Sequence, residues 1–120
     1  MRLFRILFLA FCTSLILHNS AGAGVRKAPE WLISEWINSP GVTLSDLKGK
    51  VVIIDFFQLW CPGCNKFTIP LMKQWDITFK NQIESGKLKI LSIHTVFEGH
   101  DYQTPERLKS FVKKKGIHHP

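Results

Sequence analysis

Val51-Val52-Ile53-Ile54-Asp55-Phe56-Phe57, two residues before Trp60-Cys61-Pro62-Gly63-Cys64, is the stretch on which the fold turns. Seven residues that are β-branched or aromatic, with a single acid among them, read as a parallel strand covered on both faces, and so as the central strand of a sheet. Pro62 suits the first position of a helix, where no amide donor is needed. Beyond it Phe67, Leu71, Trp75, Phe79 and Ile83 recur every four residues and predict one buried stripe. Pro70 removes an amide and crowds the preceding turn, so the helix is expected to kink there and continue.

Ser85-Gly86 closes this helix. Leu88, Ile90, Ser92 and His94 then alternate with Lys89, Leu91, Ile93 and Thr95, the period of a strand, which completes a βαβ unit. The next helix has a Thr104 cap, Pro105 at its first position, Glu106 in its first turn, an apolar face of Leu108, Phe111 and Val112, and Gly116 after its lysines. Ile117 begins a further short extended piece. Upstream, Ala28 to Asn38 is an aromatic-rich lead-in, Ser39-Pro40-Gly41 has turn composition, and Thr43 to Leu47 is too short to classify.

The 120 residues, 45% apolar and 21% charged, fit one globular domain and exclude disordered, collagenous and repeat classes. Met1 to Ala23 reads as a signal peptide: Arg2 and Arg5, an apolar run from Leu3 to Leu17, and Ala21-Gly22-Ala23 at the cleavage point. The domain is then residues 24–120. Removing those two arginines from 16 basic residues leaves 14 against 9 acids, a balance of +5. Only Lys113-Lys114-Lys115 is a basic run, and no aromatics interleave with it. A solvated helix end accounts for it, and no nucleic-acid partner is expected. Cys12 belongs to the targeting segment, so the mature chain holds only Cys61 and Cys64, too few for a disulfide scaffold or a four-cysteine zinc site.

A cysteine at a helix start meets free amides and a partial positive charge that favour its thiolate, which makes Cys61 the attacking group. Cys64, one turn inward, is shielded and near enough to close a disulfide, the position of a resolving thiol. A structural disulfide and half of a metal site remain open readings of the same pair. Asp55 in so apolar a strand is costly to ionise and suits a proton relay, against a strand-end carboxylate satisfied by lysine or backbone. Trp60 suits packing and substrate contact equally. His94 ends the second strand at the edge where α/β active sites gather, yet reads as a structural histidine. His100, His118 and His119 read as loop and terminal residues.

Lys48-Gly49-Lys50 with the strand after it, and Trp60-Cys61-Pro62-Gly63-Cys64, resemble the thioredoxin superfamily, in particular its exported TlpA-like branch. The resemblance runs from about Ala28 to Pro120. It implies an α/β thioredoxin-like fold around a central parallel βαβ unit. It also implies thiol-disulfide exchange, with Cys61, Cys64 and Asp55 in the chemistry and Trp60, Pro62 and Gly63 against the substrate. Pro70 lies six residues after Cys64, one more than the family spacing, which implies a local adjustment of the helix. The order Pro62-Gly63 is not that of thioredoxin and leaves the direction of exchange open. The family's later elements, a strand preceded by a cis-proline, another antiparallel strand and a last helix, have no counterpart before Pro120, so the expected domain is incomplete.

The function expected is that of an extracytoplasmic, periplasmic-type thiol-disulfide oxidoreductase. Its partners would be protein dithiols or disulfides and an upstream electron donor. It would need no cofactor and no metal, and would touch a membrane only if the signal segment stays uncleaved. A copper or zinc chaperone on the same fold is the alternative. A thiol peroxidase is the third, although Gln58-Leu59-Trp60 offers no hydroxyl before Cys61 to orient peroxide.

Overall fold

The computed structural model describes residues 26–120. The signal segment expected over residues 1–23 lies outside them. The ordered elements are a 3₁₀ turn, Ser45–Leu47; β1, Val51–Phe57; a π-helical segment, Cys64–Thr68; α1, Ile69–Thr78; α2, Lys80–Glu84; β2, Leu88–His94; and α3, Pro105–Lys115. Both strands and the capped last helix fall where the sequence puts them.

β1 and β2 pair in parallel from Val51 opposite Leu88 to Phe57 opposite His94. One face of this two-stranded sheet carries the helices. Ile90, Leu88 and half-buried Ile53 pack on Met72, Trp75 and Phe79, while Phe57 meets Ile69, Leu59, Val112 and Ile117. The other face takes the lead-in, where Trp31, Trp36, Val42 and Leu47 gather on Val52 and Leu91. Ile90 and Leu91, neighbours facing opposite ways, are the most deeply buried residues, each 1% exposed.

Cover on both faces is therefore only partly realised. The lead-in reaches Val52 and Leu91 but not the rest of its face, and Phe56 stays 60% exposed with Ile54 also open. Among the described residues β1 has β2 as its single hydrogen-bonded neighbour.

The helical stripe needs a second correction. Phe67 is 70% exposed and Leu71 is exposed, whereas Ile69 and Met72 are buried. A strict interval of four drifts around a helix of 3.6 residues per turn. The π segment adds to this, because the Ile69 N–H donates to the Cys64 carbonyl five residues back, which rotates all that follows. The insertion also answers the proline. Pro70 falls in the first turn of α1, directly after the π segment, where its missing amide costs nothing.

Two Schellman closures end the helices. Lys87 N–H reaches the Gln82 carbonyl and Gly86 N–H that of Ile83, and Ile117 and Gly116 do the same to Val112 and Lys113. The second closure folds Ile117 onto Val112 in the core. Residues 117–120 are irregular, not a strand, but the Ser92 N–H donates to the Pro120 carbonyl at 2.9 Å. Asn38, at φ +62°, ties the lead-in to this segment by donating to the Ile117 and His119 carbonyls at 3.0 and 3.3 Å.

Candidate active site

The loop after β1 is built by side chains from both directions. Asn65 Nδ2 donates to the carbonyls of Leu59 and Cys61 at 2.9 and 3.0 Å, and the Leu59 N–H donates to buried Gln103 Oε1 at 3.2 Å. This clamp fixes the approach to Cys61-Pro62-Gly63-Cys64. The two cysteines form a disulfide with Cα atoms 5.3 Å apart, and the Cys64 N–H donates to Cys61 Sγ at 3.1 Å. A donor on that sulfur favours negative charge there. Pro62 and Gly63 are exposed, while both cysteines are half-buried. Cys64 packs against the core cluster of Phe57, Leu59 and Ile69.

Asp55 is buried on the helix-bearing face of β1, and Thr68 Oγ1 donates to its Oδ2 over 3.5 Å. Burial pushes its carboxyl above the ordinary range, while the Thr68 hydroxyl and the nearby His119 pull it back. Thr68 stands four residues after Cys64, and its hydroxyl also reaches the Cys64 carbonyl at 3.5 Å. One residue therefore touches both the acid and the second cysteine. That i, i+4 spacing was the available signal for Thr68.

His119 is not a loose terminal residue. It is buried, its Nδ1 lies 2.5 Å from Asp76 Oδ2 and its Nε2 lies 2.8 Å from Ser92 Oγ. Nothing local announces it, since Asp76 is 43 positions away.

Trp60 is 45% exposed beside Cys61, and its Nε1 donates to Gln58 Oε1 at 2.6 Å. Its ring stacks on Tyr102 with centroids 6.2 Å apart, and the Arg107 guanidinium lies over the Tyr102 ring, 4.3 Å from its centroid. Gly99, at φ +66°, lies under the indole, where a Cβ would come within 2.6 Å of its ring. Packing and an open face thus coexist on one side chain.

His94 closes the sheet end against Phe57, with ring centroids 5.5 Å apart. Gln103 Nε2 donates to the Glu98 carbonyl at 2.7 Å, which orients its oxygen toward Leu59 and His94. His94 Nε2 therefore carries the hydrogen and donates to Gln103 Oε1 at 3.1 Å. Burial lowers the proton affinity of His94, with the Gln103 hydrogen bond opposing. Among the described residues no three His, Cys, Asp or Glu side chains converge to hold a metal ion.

Strand, loop disulfide, π turn and helix can be compared with known proteins as one unit. A solved thioredoxin-like superfamily protein is similar at 42% identity and a TM-score of 0.70, over 78% of this chain and 58% of that one. A thiol-disulfide isomerase from Corynebacterium glutamicum is similar at 36% identity and a TM-score of 0.63, over 76% and 58%. The chain belongs to the thioredoxin-like superfamily. Among curated relatives it is 38% identical over 66 residues to protein DipZ of Mycobacterium bovis, which is 52% of this chain and 9% of that protein. It is 28% identical over 113 residues to the thiol-disulfide oxidoreductase ResA of Bacillus subtilis, which is 83% of this chain and 62% of that protein. The chain spans less than two thirds of each of these relatives. No protein-family model matches it.

Proposed function

We propose that the chain is an exported thiol-disulfide oxidoreductase acting on protein substrates. The observation that carries this reading is the Cys64 N–H on Cys61 Sγ, at a disulfide standing between a strand and a helix. Similarity to a thiol-disulfide oxidoreductase and to a thiol-disulfide isomerase supports the same chemistry. The apolar run from Leu3 to Leu17 and the small residues after it support export to an extracytoplasmic, periplasmic-type compartment, and no helix of the described residues is long and apolar enough to cross a membrane.

With the pair reduced, the Cys61 thiolate attacks one sulfur of a substrate disulfide. A Cys61–substrate disulfide forms and the other substrate sulfur leaves as a thiolate. Cys64 then loses its proton to Asp55 and attacks Cys61 Sγ. The Cys61–Cys64 bond forms, and the second substrate sulfur leaves and is protonated. The substrate gains two electrons and the pair loses them, so a dithiol donor must restore it. Run backward, the same steps oxidise a substrate. Trp60, with exposed Pro62 and Gly63, presents the surface a substrate segment meets.

Trapping tests the division of labour. Cys64→Ser should accumulate mixed disulfides with partner proteins, visible on non-reducing gels and lost on reduction, and Cys61→Ser should accumulate none. Equal trapping by both variants would refute the roles assigned.

A further inference from the structure

Trp60 and Tyr102 come from different loops, one after β1 and one after β2, yet their rings stack with planes 18° apart. Each is nearly half exposed, at 45% and 46%, so the pair is an open aromatic surface and not a piece of the core. Trp60 directly precedes Cys61, which sets that surface at the edge of the disulfide. We infer that Tyr102 is a positioning residue for Trp60: it holds the indole in one orientation beside Cys61, where the two rings receive an apolar or aromatic side chain flanking a substrate's disulfide. The inference rests on the oxidoreductase reading and adds to it the class of substrate segment the site prefers.

The loop that carries Tyr102 is itself braced. The Tyr102 and Gln103 N–H groups both donate to the Gly99 carbonyl, at 2.9 and 3.0 Å, and the Gln103 side chain bonds the Glu98 carbonyl and the Leu59 N–H. Tyr102 therefore stands on a closed turn whose next residue is tied to the loop before the cysteines. The Arg107 guanidinium lies over the phenol ring, and Arg107 is fixed in the first turn of α3, where the Thr104 hydroxyl accepts its N–H at 3.4 Å. The fold thus sets the position of the phenol independently of Trp60.

Trp60 has fewer restraints of its own. Its Nε1 is held at one edge by Gln58, a side chain of the same loop two residues away, and Gly99 lies against its six-membered ring. A bond at one edge leaves a hinge, and a glycine offers contact without a wall. The Tyr102 ring is the flat partner that stops the indole from turning about that hinge. An indole that must be ordered when substrate arrives loses freedom at that moment, whereas a stacked indole has lost it already. The benefit falls on substrate binding and not on the chemistry at sulfur. Two pre-ordered rings suit an apolar or aromatic group, because their faces pack against such a side chain at little further cost in entropy.

Two cyclic disulfide peptides, alike except for phenylalanine or serine beside one cysteine, test the inference with the full chain. Tyr102→Ser should raise KM for the phenylalanine peptide roughly three- to tenfold with kcat unchanged, and should leave the constants for the serine peptide where they were. Tyr102→Phe, which keeps the ring, should match the unmodified chain on both peptides. Equal changes on the two peptides, a change confined to kcat, or no change would overturn the inference. If Tyr102→Ser does not fold, Tyr102→Leu takes its place under the same criteria. The order parameter of the Trp60 indole N–H, measured by NMR on the oxidised chain, reads the positioning without turnover. It should fall in Tyr102→Ser and hold in Tyr102→Phe, and an indole as rigid in Tyr102→Ser as in the unmodified chain would overturn the role of Tyr102. Exchange with neither peptide by the unmodified chain would instead defeat the oxidoreductase reading, and the substrate preference with it, while the order parameter still decides whether Tyr102 fixes Trp60.

Discussion

Gln103 receives the backbone N–H of Leu59 across 44 positions of sequence, at 3.2 Å and out of solvent. With its amide on Glu98 and its oxygen shared by His94, one side chain joins the loop before the cysteines, the end of β2 and the loop beyond it. Gln103→Ala would leave that buried N–H without a partner. A loss of about 1–3 kcal/mol is expected by chemical denaturation. A smaller loss would mean that the Leu59 loop finds another acceptor.

Asp55 gives a pH signature in the folding equilibrium itself. Its folded-state proton affinity is raised, chiefly by burial, so its contribution to stability is whole below the unfolded value of about 3.9 and is lost as pH rises through the folded value. Asp55→Asn removes that loss. The stability of the variant relative to the unmodified protein should climb from about pH 4 upward. Parallel stability curves for the two proteins across that range would sink the assignment.

Gly99→Ala should cost about 1–2 kcal/mol, because an alanine resists the left-handed backbone found there. Its methyl group would also push the Trp60 indole off the loop. A red shift and stronger iodide quenching of the indole emission should accompany the loss. Unchanged emission would place Trp60 elsewhere in solution.

Phe56 is largely exposed beside exposed Ile54, on the part of the sheet that the lead-in does not cover. Phe56→Ser should lower the binding of a hydrophobic dye and any self-association of the purified protein, with little change in its melting temperature. A large drop in melting temperature would show that the ring is packed.

The elements were legible where local chemistry decides them. The β-branched run of β1, the alternation of Leu88 to Thr95 and the Thr104-Pro105 start of α3 state their own conformation, and Thr104 Oγ1 does accept the Arg107 N–H. The cysteine pair and Asp55 were legible for the same reason, as unusual residues at a strand–helix junction. What stayed hidden depends on residues far apart. Gln103 and His119 look like any loop residues until the fold sets them against Leu59 and Asp76. The burial of Ile69 and Met72 in place of Phe67 and Leu71 was hidden because periodicity assumes an uninterrupted helix. The six-residue step from Cys64 to Pro70 was its only trace.

The π turn has a consequence for how this site can vary. A helix that holds one residue more than its register allows works like a screw with a slipped thread, in which the two ends keep independent settings. The Cys64 end aims Thr68 at Asp55, while the far end presents Ile69 and Met72 to the core. A substitution among Lys66, Phe67 and Thr68 can therefore change how the cysteine end is set against Asp55 without unseating the packing beyond Ile69. Deleting one of the three would lock the two settings together and force the motif and the core to compete for a single rotation.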